Sequence, residues 1–178
     1  MITVLFGGSR PNGNTAQLTK FALQDLEYQW IDVTQHQFKP IRDVRHTAET
    51  ITSYDDDYLP ILDKILASDT IIFASPVYWY SISAPLKAFI EHWSETLQDK
   101  RYPNFKAQMA EKDFRVILVG GDCPKIKAKP AITQMKYSLD FLGATLNGYI
   151  IGTAEKPGDI MKDNYALARA TEDRKSVV

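Results

Sequence analysis

Short apolar runs alternate along the chain with segments whose apolar residues recur every three or four positions. The first run, residues 2–6, is almost continuously apolar and ends at two glycines, which is typical of a strand buried on both faces. Four later runs predict strands over residues 29–33, 70–74, 114–119 and 144–151. The segments between them have the spacing of amphipathic helices. This alternation predicts an α/β, three-layer, doubly wound fold with a five-stranded parallel sheet.

Two polar stretches interrupt the alternation, over residues 36–54 and 96–112, and we interpret them as long excursions from the sheet. Residues 157–159 open a final segment with helical spacing, which predicts a last helix packed on the sheet. The mixed charges of residues 169–175 are typical of a solvated tail. Because the sequence contains no repeat and no shift in composition, we predict a single domain spanning residues 1–178.

Composition narrows the possible partners. The formal net charge is −1 and the sequence pI is about 6.3, so nothing electrostatic favours nucleic acid or an anionic membrane as a partner. The single cysteine, Cys123, excludes an internal disulfide and an all-cysteine metal site within one chain. The apolar N-terminal run is too short to span a bilayer and lacks the features of a signal peptide. We therefore expect a cytoplasmic protein that binds neither membrane nor nucleic acid.

The loop after the first predicted strand, residues 7–15, is rich in glycine, hydroxyl and amide side chains. Glycines let the backbone approach an anion, and the start of the following helix offers free N–H groups and the positive end of a dipole. Ser9, Asn14 and Thr15 can add side-chain hydrogen bonds, and Arg10 can add a positive charge. The loop therefore predicts a phosphate site. The alternative is a capped helix that binds no ligand.

The spacing within this loop distinguishes between kinds of phosphate ligand. The segment from Gly8 to Thr15 has the length of a P-loop, but Asn14 stands where that motif needs lysine. A triphosphate, and with it a P-loop-like nucleotide enzyme, is therefore disfavoured. The glycines at 7, 8 and 13 also fail to form the dinucleotide fingerprint. What remains is a cradle for a terminal monophosphate, such as that of FMN.

Three aromatic residues, Tyr78, Trp79 and Tyr80, follow the third predicted strand. In doubly wound sheets, ligands bind outside the carboxyl ends of the strands, where the strand order reverses. We predict that Tyr78 and Trp79 line a flavin ring, and we interpret Tyr80 as a core or dimer-interface residue. Core or interface packing stays open as an alternative for Tyr78 and Trp79 as well.

The loop after the fourth predicted strand, from Gly120 through Asp122 to Cys123, lies at the same edge of the predicted sheet. Its backbone N–H groups would approach the pyrimidine end of a flavin and favour the two-electron reduced state. Cys123 has no partner cysteine, so we interpret it as an inert side chain rather than a redox residue.

The three aspartates of residues 55–57 precede a helical pattern, and we interpret them as helix caps rather than metal ligands.

Taken together, the segments GGSRPNGNT, SPVYWYSISAPLKAFIEHW and GGDC resemble the NAD(P)H-dependent FMN reductase family of flavodoxin-like proteins, which includes the iron–sulfur flavoproteins. The resemblance implies a flavodoxin-like sheet of strand order 2-1-3-4-5, with FMN as cofactor and NAD(P)H as co-substrate. It also implies a homodimer or homotetramer. The chain lacks the cysteine cluster of the iron–sulfur members, so it is similar to a flavin-only member.

The resemblance also assigns FMN-binding roles to residues of the three loops. The residues implied are, for the phosphate, Ser9, Arg10, Asn12, Gly13, Asn14, Thr15 and Ala16; for the isoalloxazine ring, Pro76, Val77, Tyr78 and Trp79; and, near its pyrimidine end, Gly120, Gly121 and Asp122.

These features predict an oxidoreductase in which a nicotinamide passes hydride to FMN and a small-molecule acceptor, such as a quinone, takes the electrons. Because the cofactor carries the chemistry, no catalytic side chain is predicted. Two alternatives stay open. One is a non-enzymatic electron carrier that binds FMN, and the other is a module that senses FMN or redox state.

Overall fold

Five parallel strands form one sheet at the centre of the protein, in a computed structural model that describes residues 1–41, 46 and 55–177. The order of the strands is 2-1-3-4-5, and every neighbouring pair is parallel. This confirms the flavodoxin-like prediction, and each predicted strand lies within two residues of its observed bounds. The strands are β1 (Ile2–Phe6), β2 (Tyr28–Asp32), β3 (Thr70–Pro76), β4 (Asp113–Gly120) and β5 (Leu146–Thr153).

Helices fill the connections between the strands. They are α1 (Asn14–Ala22), α2 (Tyr58–Leu66), α3 (Ala84–Glu91), α4 (Trp93–Thr96), α5 (Phe105–Ala110), α6 (Pro124–Lys127), α7 (Lys129–Phe141) and α8 (Asn164–Val177), with short 3-10 helices at Val33–Gln35 and Asp159–Lys162.

The two predicted excursions have different outcomes. The irregular structure predicted for residues 96–112 is wrong for α5, whose Phe105 and Met109 are buried in the core. A helix this short offers only two apolar anchors, too few for a periodic pattern to be recognised. Most of the other excursion, residues 36–54, lies outside the described residues.

The sheet separates two hydrophobic layers. Successive residues of β1 belong to opposite layers, with Leu5 on one face and Val4 and Phe6 on the other, and β3 and β4 alternate in the same way. Helices α2, α3 and α7 cover the face of Leu5, while α1 and α8 cover the other. This confirms the three-layer prediction. Among the described residues, no helix combines the length and hydropathy that crossing a bilayer requires.

A buried arginine fastens the last helix to the sheet. Arg115 lies within β4, and its Nη1 donates to Asp173 of α8 at 2.6 Å while its Nε donates to Asp113 at 2.8 Å. Gly148 of β5 leaves room for this contact, because a Cβ there would lie 2.8 Å from Oδ1 of Asp173. The prediction of a solvated tail over residues 169–175 is therefore wrong for Asp173, which Arg115 holds against the sheet. It is also wrong for Arg174, which donates to the backbone of α1, whereas Arg169 and Glu172 are exposed and pair with each other at the surface.

A buried carboxylate connects the start of α2 to α3 and α4. Asp56 accepts hydrogen bonds from the backbone N–H of Tyr58 and of Lys39, each at 3.0 Å, and its Oδ2 lies 2.8 Å from Nε2 of His92. The side chains of Asp56 and His92 are only 3 % and 2 % exposed. The capping prediction is confirmed for Asp56, whereas the Asp57 carboxylate accepts from the backbone N–H of Gln37 instead.

We expect Asp56→Asn to lower the free energy of unfolding by about 2 kcal/mol at neutral pH, because the amide nitrogen would face a donor at one of these positions. Burial raises the pKa of Asp56, but hydrogen bonds from His92, Lys39 and Tyr58 outweigh it and bring the pKa below 3.8. The ionised form therefore stabilises the fold fully above pH 3.8, and this stabilisation is lost as the pH falls through the lower pKa of the folded state.

Urea denaturation of the wild type and Asp56→Asn at neutral pH and near pH 3 would measure this effect. The difference between them should shrink at the acidic pH. Asp55→Asn is the matched control, since the Asp55 side chain is exposed and pairs with Lys39 at the surface. An equal loss of stability in both variants would contradict the role assigned to Asp56.

Candidate functional site

A cleft of about 250 Å³ opens at the carboxyl edge of the sheet, where the loops after β1, β3, β4 and β5 meet. Ten of the predicted site residues line it, namely Ser9, Arg10, Gly13, Asn14, Thr15, Pro76, Val77, Tyr78, Gly120 and Gly121. Trp79 and Asp122 line an adjoining cavity. Asn12 and Ala16 do not line the cleft: the carbonyl of Asn12 accepts a hydrogen bond from Gln17, and Ala16 is fully buried.

The first turn of α1 points unsatisfied donors at the cleft. Gly13 is the N-cap residue, and no side chain caps the helix. The backbone N–H groups that begin an α-helix have no partner within it. Thr15 is buried beside them and lines the cleft, and its hydroxyl makes no hydrogen bond to another described residue. Arg10, exposed at the rim, forms no ion pair within the described part of the chain. This arrangement suits an anion.

The side chain of Asn14 does not face this anion site. Its Nδ2 donates to the carbonyl of Lys156 at 2.9 Å, and its Oδ1 accepts from the backbone N–H of Gly158 at 2.9 Å. The structure therefore leaves the backbone N–H of Asn14, rather than its amide, for an anion. The side chain instead attaches the loop after β5 to α1.

That loop contributes lining residues that sequence reasoning missed, namely Ala154, Glu155 and Pro157. A signal was available, because every strand of a parallel sheet ends at the same edge and ligands bind outside those ends. The loop after β5 is thus as well placed as the other three. Its composition indicates the start of a helix, and for that reason the loop was not predicted to line a binding site.

A tight hairpin carries the aromatic residues of the second loop. Tyr78 and Ser81 exchange two backbone hydrogen bonds of 3.0 Å, and the two residues between them, Trp79 and Tyr80, have φ angles of 48° and 64°. Turns of this shape favour asparagine and glycine. Left-handed conformations in bulky residues are strained, on the order of 1–3 kcal/mol each, and persist where the surrounding structure fixes them.

Side-chain hydrogen bonds fix this hairpin to the other loops. The hydroxyls of Tyr78 and Ser9 share a hydrogen bond of 2.9 Å across the cleft, and Tyr80 donates to Asp122 at 2.8 Å. Ser81 donates to Gln134 of α7 at 3.1 Å. Trp79 is left at the tip with 91 % of its surface exposed. Neither Trp79 nor Tyr80 is a core residue, so core packing is excluded for this pair.

The third loop runs close beneath the second. A Cβ on Gly120 would lie 3.2 Å from the Cβ of Val77, so a larger residue there would push the two loops apart by a few tenths of an ångström. A second cavity of about 180 Å³, which we call the side cavity, shares Val77, Gly120 and Gly121 with the cleft. Its other lining residues are Trp79, Tyr80, Asp122, Pro124, Lys127 and Ala128.

A charged pair lies in the wall of the side cavity. Lys127 donates to both carboxylate oxygens of Asp122, at 2.8 and 2.6 Å, and its Nζ lies 5.7 Å from the ring centre of Tyr80. The hydrogen bond from Lys127 lowers the pKa of Asp122, and that from Tyr80 adds to this effect. The hydrogen bond to Asp122 also raises the pKa of Lys127 and of the Tyr80 hydroxyl. At neutral pH the pair is therefore ionised and the tyrosine uncharged.

The sequence profile of a family described as NADPH-dependent FMN reductase matches residues 1–122, which span the first three of these loops. The chain belongs to this family. It is accordingly an FMN-dependent NAD(P)H oxidoreductase, with FMN as its cofactor.

Two curated relatives and a solved structure are similar to the chain. It is 42 % identical to "Putative NAD(P)H-dependent FMN-containing oxidoreductase YwqN" of Bacillus subtilis (strain 168), over 96 % of this chain and 94 % of YwqN. It is 26 % identical to an NADPH:quinone oxidoreductase of Arabidopsis thaliana, over 88 % of this chain and 73 % of that protein. The structure of the Trp repressor binding protein from Bacillus subtilis superposes with a TM-score of 0.81 at 40 % identity, covering 97 % of this chain and 98 % of that one.

The residues at the cleft fit FMN, which has a phosphate at one end and a planar ring system at the other. The open N-terminus of α1 and Arg10 would supply donors and positive charge for the phosphate. Val77 and Tyr78 would supply walls for the ring. The cleft and the side cavity together lie within the range of about 300–1,000 Å³ that is typical of small-molecule sites.

Proposed function

We propose that this family member passes electrons from NAD(P)H, through FMN held in the cleft, to a quinone. The observation that carries the proposal is the uncapped start of α1, with Thr15 and Arg10 beside it, in a cleft that Tyr78 of the aromatic hairpin also lines. A similar protein, the Arabidopsis enzyme, is named for quinone reduction, which supports the choice of acceptor.

The proposed contacts follow the three loops of the sequence prediction. The phosphate rests on the segment from Ser9 to Ala16, the ring lies along the segment from Pro76 to Trp79, and Gly120, Gly121 and Asp122 border its polar end. Bound FMN supplies the two-electron transfer between NAD(P)H and acceptor. The protein's own groups bind and orient: backbone N–H groups and Thr15 hold the phosphate, while the hairpin and Gly120 shape the slot for the ring and keep water from one of its faces.

We also propose that the chain is a single FMN-binding domain that works as a homodimer or homotetramer in the cytoplasm. The exposed Trp79 at the mouth of the site, and exposed Tyr137 and Phe141 on α7, are apolar surfaces that a second copy could cover. Light scattering during size-exclusion chromatography would measure the assembly, and a monomer at all concentrations would refute it.

Anaerobic reduction tests the proposed function. The purified protein is loaded with FMN and mixed with NADH or NADPH, and the visible absorbance of oxidised FMN is followed. At least one nicotinamide should bleach the bound FMN, and a benzoquinone added afterwards should restore the colour. Bleaching by dithionite but by neither nicotinamide would instead identify a non-enzymatic electron carrier. A protein that takes up no FMN would refute both functions.

A further inference from the structure

We propose that Asp122 and Lys127 receive the pyrimidine end of the FMN ring system in the side cavity and that their opposite charges set how readily the bound FMN is reduced. This inference rests on the proposed placement of FMN in the cleft.

The shape of the site is the first argument. The cleft alone, at about 250 Å³, is smaller than typical small-molecule sites of about 300–1,000 Å³. The side cavity adjoins it, because Val77, Gly120 and Gly121 line both. A planar ring system whose phosphate lies at the start of α1 would therefore reach the side cavity as it passes Gly120.

Polarity decides which end of the ring system enters. One end of isoalloxazine is a dimethylbenzene, which is apolar, and the other is a pyrimidine with two carbonyl oxygens and one N–H. The side cavity offers a carboxylate acceptor from Asp122 and an ammonium donor from Lys127. An ammonium group has three N–H donors, and two of those of Lys127 go to Asp122. The third N–H of Lys127 and a lone pair of the Asp122 carboxylate match the carbonyl oxygens and the N–H of the pyrimidine. The dimethylbenzene end has no group that could bond to either.

Charge is the third argument. Reduction places negative charge on the pyrimidine end of a flavin, and charged groups near that end are a means by which proteins adjust the cofactor. Lys127 therefore favours reduced FMN, whereas Asp122 opposes it. Tyr80, which donates to Asp122 at 2.8 Å, keeps the carboxylate in place and disperses part of its charge. The two side chains therefore shift the equilibrium between oxidised and reduced FMN in opposite directions.

The test uses variants whose expected shifts differ in direction. FMN-loaded protein is equilibrated anaerobically with a reference dye of known potential at neutral pH and low salt, and the ratio of oxidised to reduced FMN is read from absorbance. Lys127→Gln should raise this ratio about tenfold, and Asp122→Asn should lower it several-fold. The double variant, which again has no net charge at this position, should lie close to the wild type. Raising the salt concentration should diminish both shifts.

Lys125 provides a matched control. It lies on the same short helix, α6, and its side chain is 46 % exposed, as is that of Lys127. It donates to Asp163 at 3.3 Å and borders a different cavity. Lys125→Gln should change the ratio of oxidised to reduced FMN less than twofold. Equal melting temperatures of the FMN-free variants would show that none has lost its fold.

Separate outcomes distinguish this inference from the proposed function. If the wild type binds FMN and is reduced by a nicotinamide, but Lys127→Gln and Asp122→Asn shift the ratio in the same direction or not at all, the charged pair is not at the pyrimidine end. A shift by Lys125→Gln as large as that by Lys127→Gln would likewise overturn the inference. A wild type that binds no FMN overturns the proposed function and this inference with it.

Discussion

FMN is expected to bind Thr15→Asp about 100-fold more weakly than it binds the wild type. Thr15 lies at the second position of α1 and lines the cleft with a hydroxyl that makes no hydrogen bond to another described residue. The substitution removes this donor and places a carboxylate among the N–H groups that would hold the phosphate. Hydrogen bonds to charged groups are worth about 1.5–3 kcal/mol, and about 1.4 kcal/mol corresponds to a tenfold change in affinity.

Quenching of FMN fluorescence on titration with protein would measure this affinity. Riboflavin, which has the same ring but no phosphate, should bind the wild type and Thr15→Asp within a few-fold of each other. Thr15→Ser is the conservative control and should retain most of the affinity for FMN. If Thr15→Asp weakened FMN and riboflavin equally, the phosphate would not lie at the start of α1.

Arg115→Ala is expected to lower the free energy of unfolding by about 3 kcal/mol, because it leaves the largely buried carboxylate of Asp173 without its partner. The pKa of Asp173 is raised by burial, and Arg115 only partly offsets this. Removing the arginine also leaves Asp113 close to Asp173 without the cation between them. Denaturation with urea at neutral pH would measure the loss.

Two further measurements separate this charge effect from a simple loss of packing. Asp173→Asn in the Arg115→Ala background should recover part of the lost stability, because it removes the unpaired charge of Asp173 and its repulsion with Asp113. Arg169→Ala, on the same helix but paired with Glu172 at the surface, should cost less than about 1 kcal/mol. No recovery in the double variant would mean that packing, not charge, accounts for the loss.

The pH dependence gives an independent check. A folded-state pKa above 3.8 means that folded Asp173 binds its proton more tightly than the unfolded chain does. Removing Arg115 raises the pKa of folded Asp173 further, because the arginine lowers it in the wild type. The stability of Arg115→Ala should therefore rise, relative to the wild type, as the pH falls towards the pKa of folded Asp173. Asp56 has a lowered pKa and behaves in the opposite way.

Strands β1, β3 and β4 were predictable because burial on both faces leaves almost no choice of residue. In β1, Val4 belongs to one layer and Leu5 to the other, and Thr3 is the one polar residue of the run. The loops that follow such runs are predictable in the same way, since turn residues such as Gly120 mark where each strand ends. Which edge they share follows from the parallel arrangement. This is why ten predicted site residues lie around one cleft.

What the pattern misses is the choice of partner across long distances. Asn14 has the residue type of a phosphate ligand, yet its amide is bonded to a loop 142 residues further along. Arg115 is a charged residue within an otherwise apolar strand pattern, and its partner Asp173 lies in a run of mixed charges that is typical of a surface. Residue type and spacing specify what a side chain can bind. They do not specify which of several compatible groups the fold brings to it.

The bond from Asn14 to the loop after β5 has a consequence for biosynthesis. The loop that carries Asn14 is synthesised well before the backbone groups that hold its side chain, which Lys156 and Gly158 contribute. In a nascent chain the side chain of Asn14 therefore lacks these partners until β5 has joined the edge of the sheet. We therefore expect full affinity for the cofactor only after β5 has been made and has paired with β4.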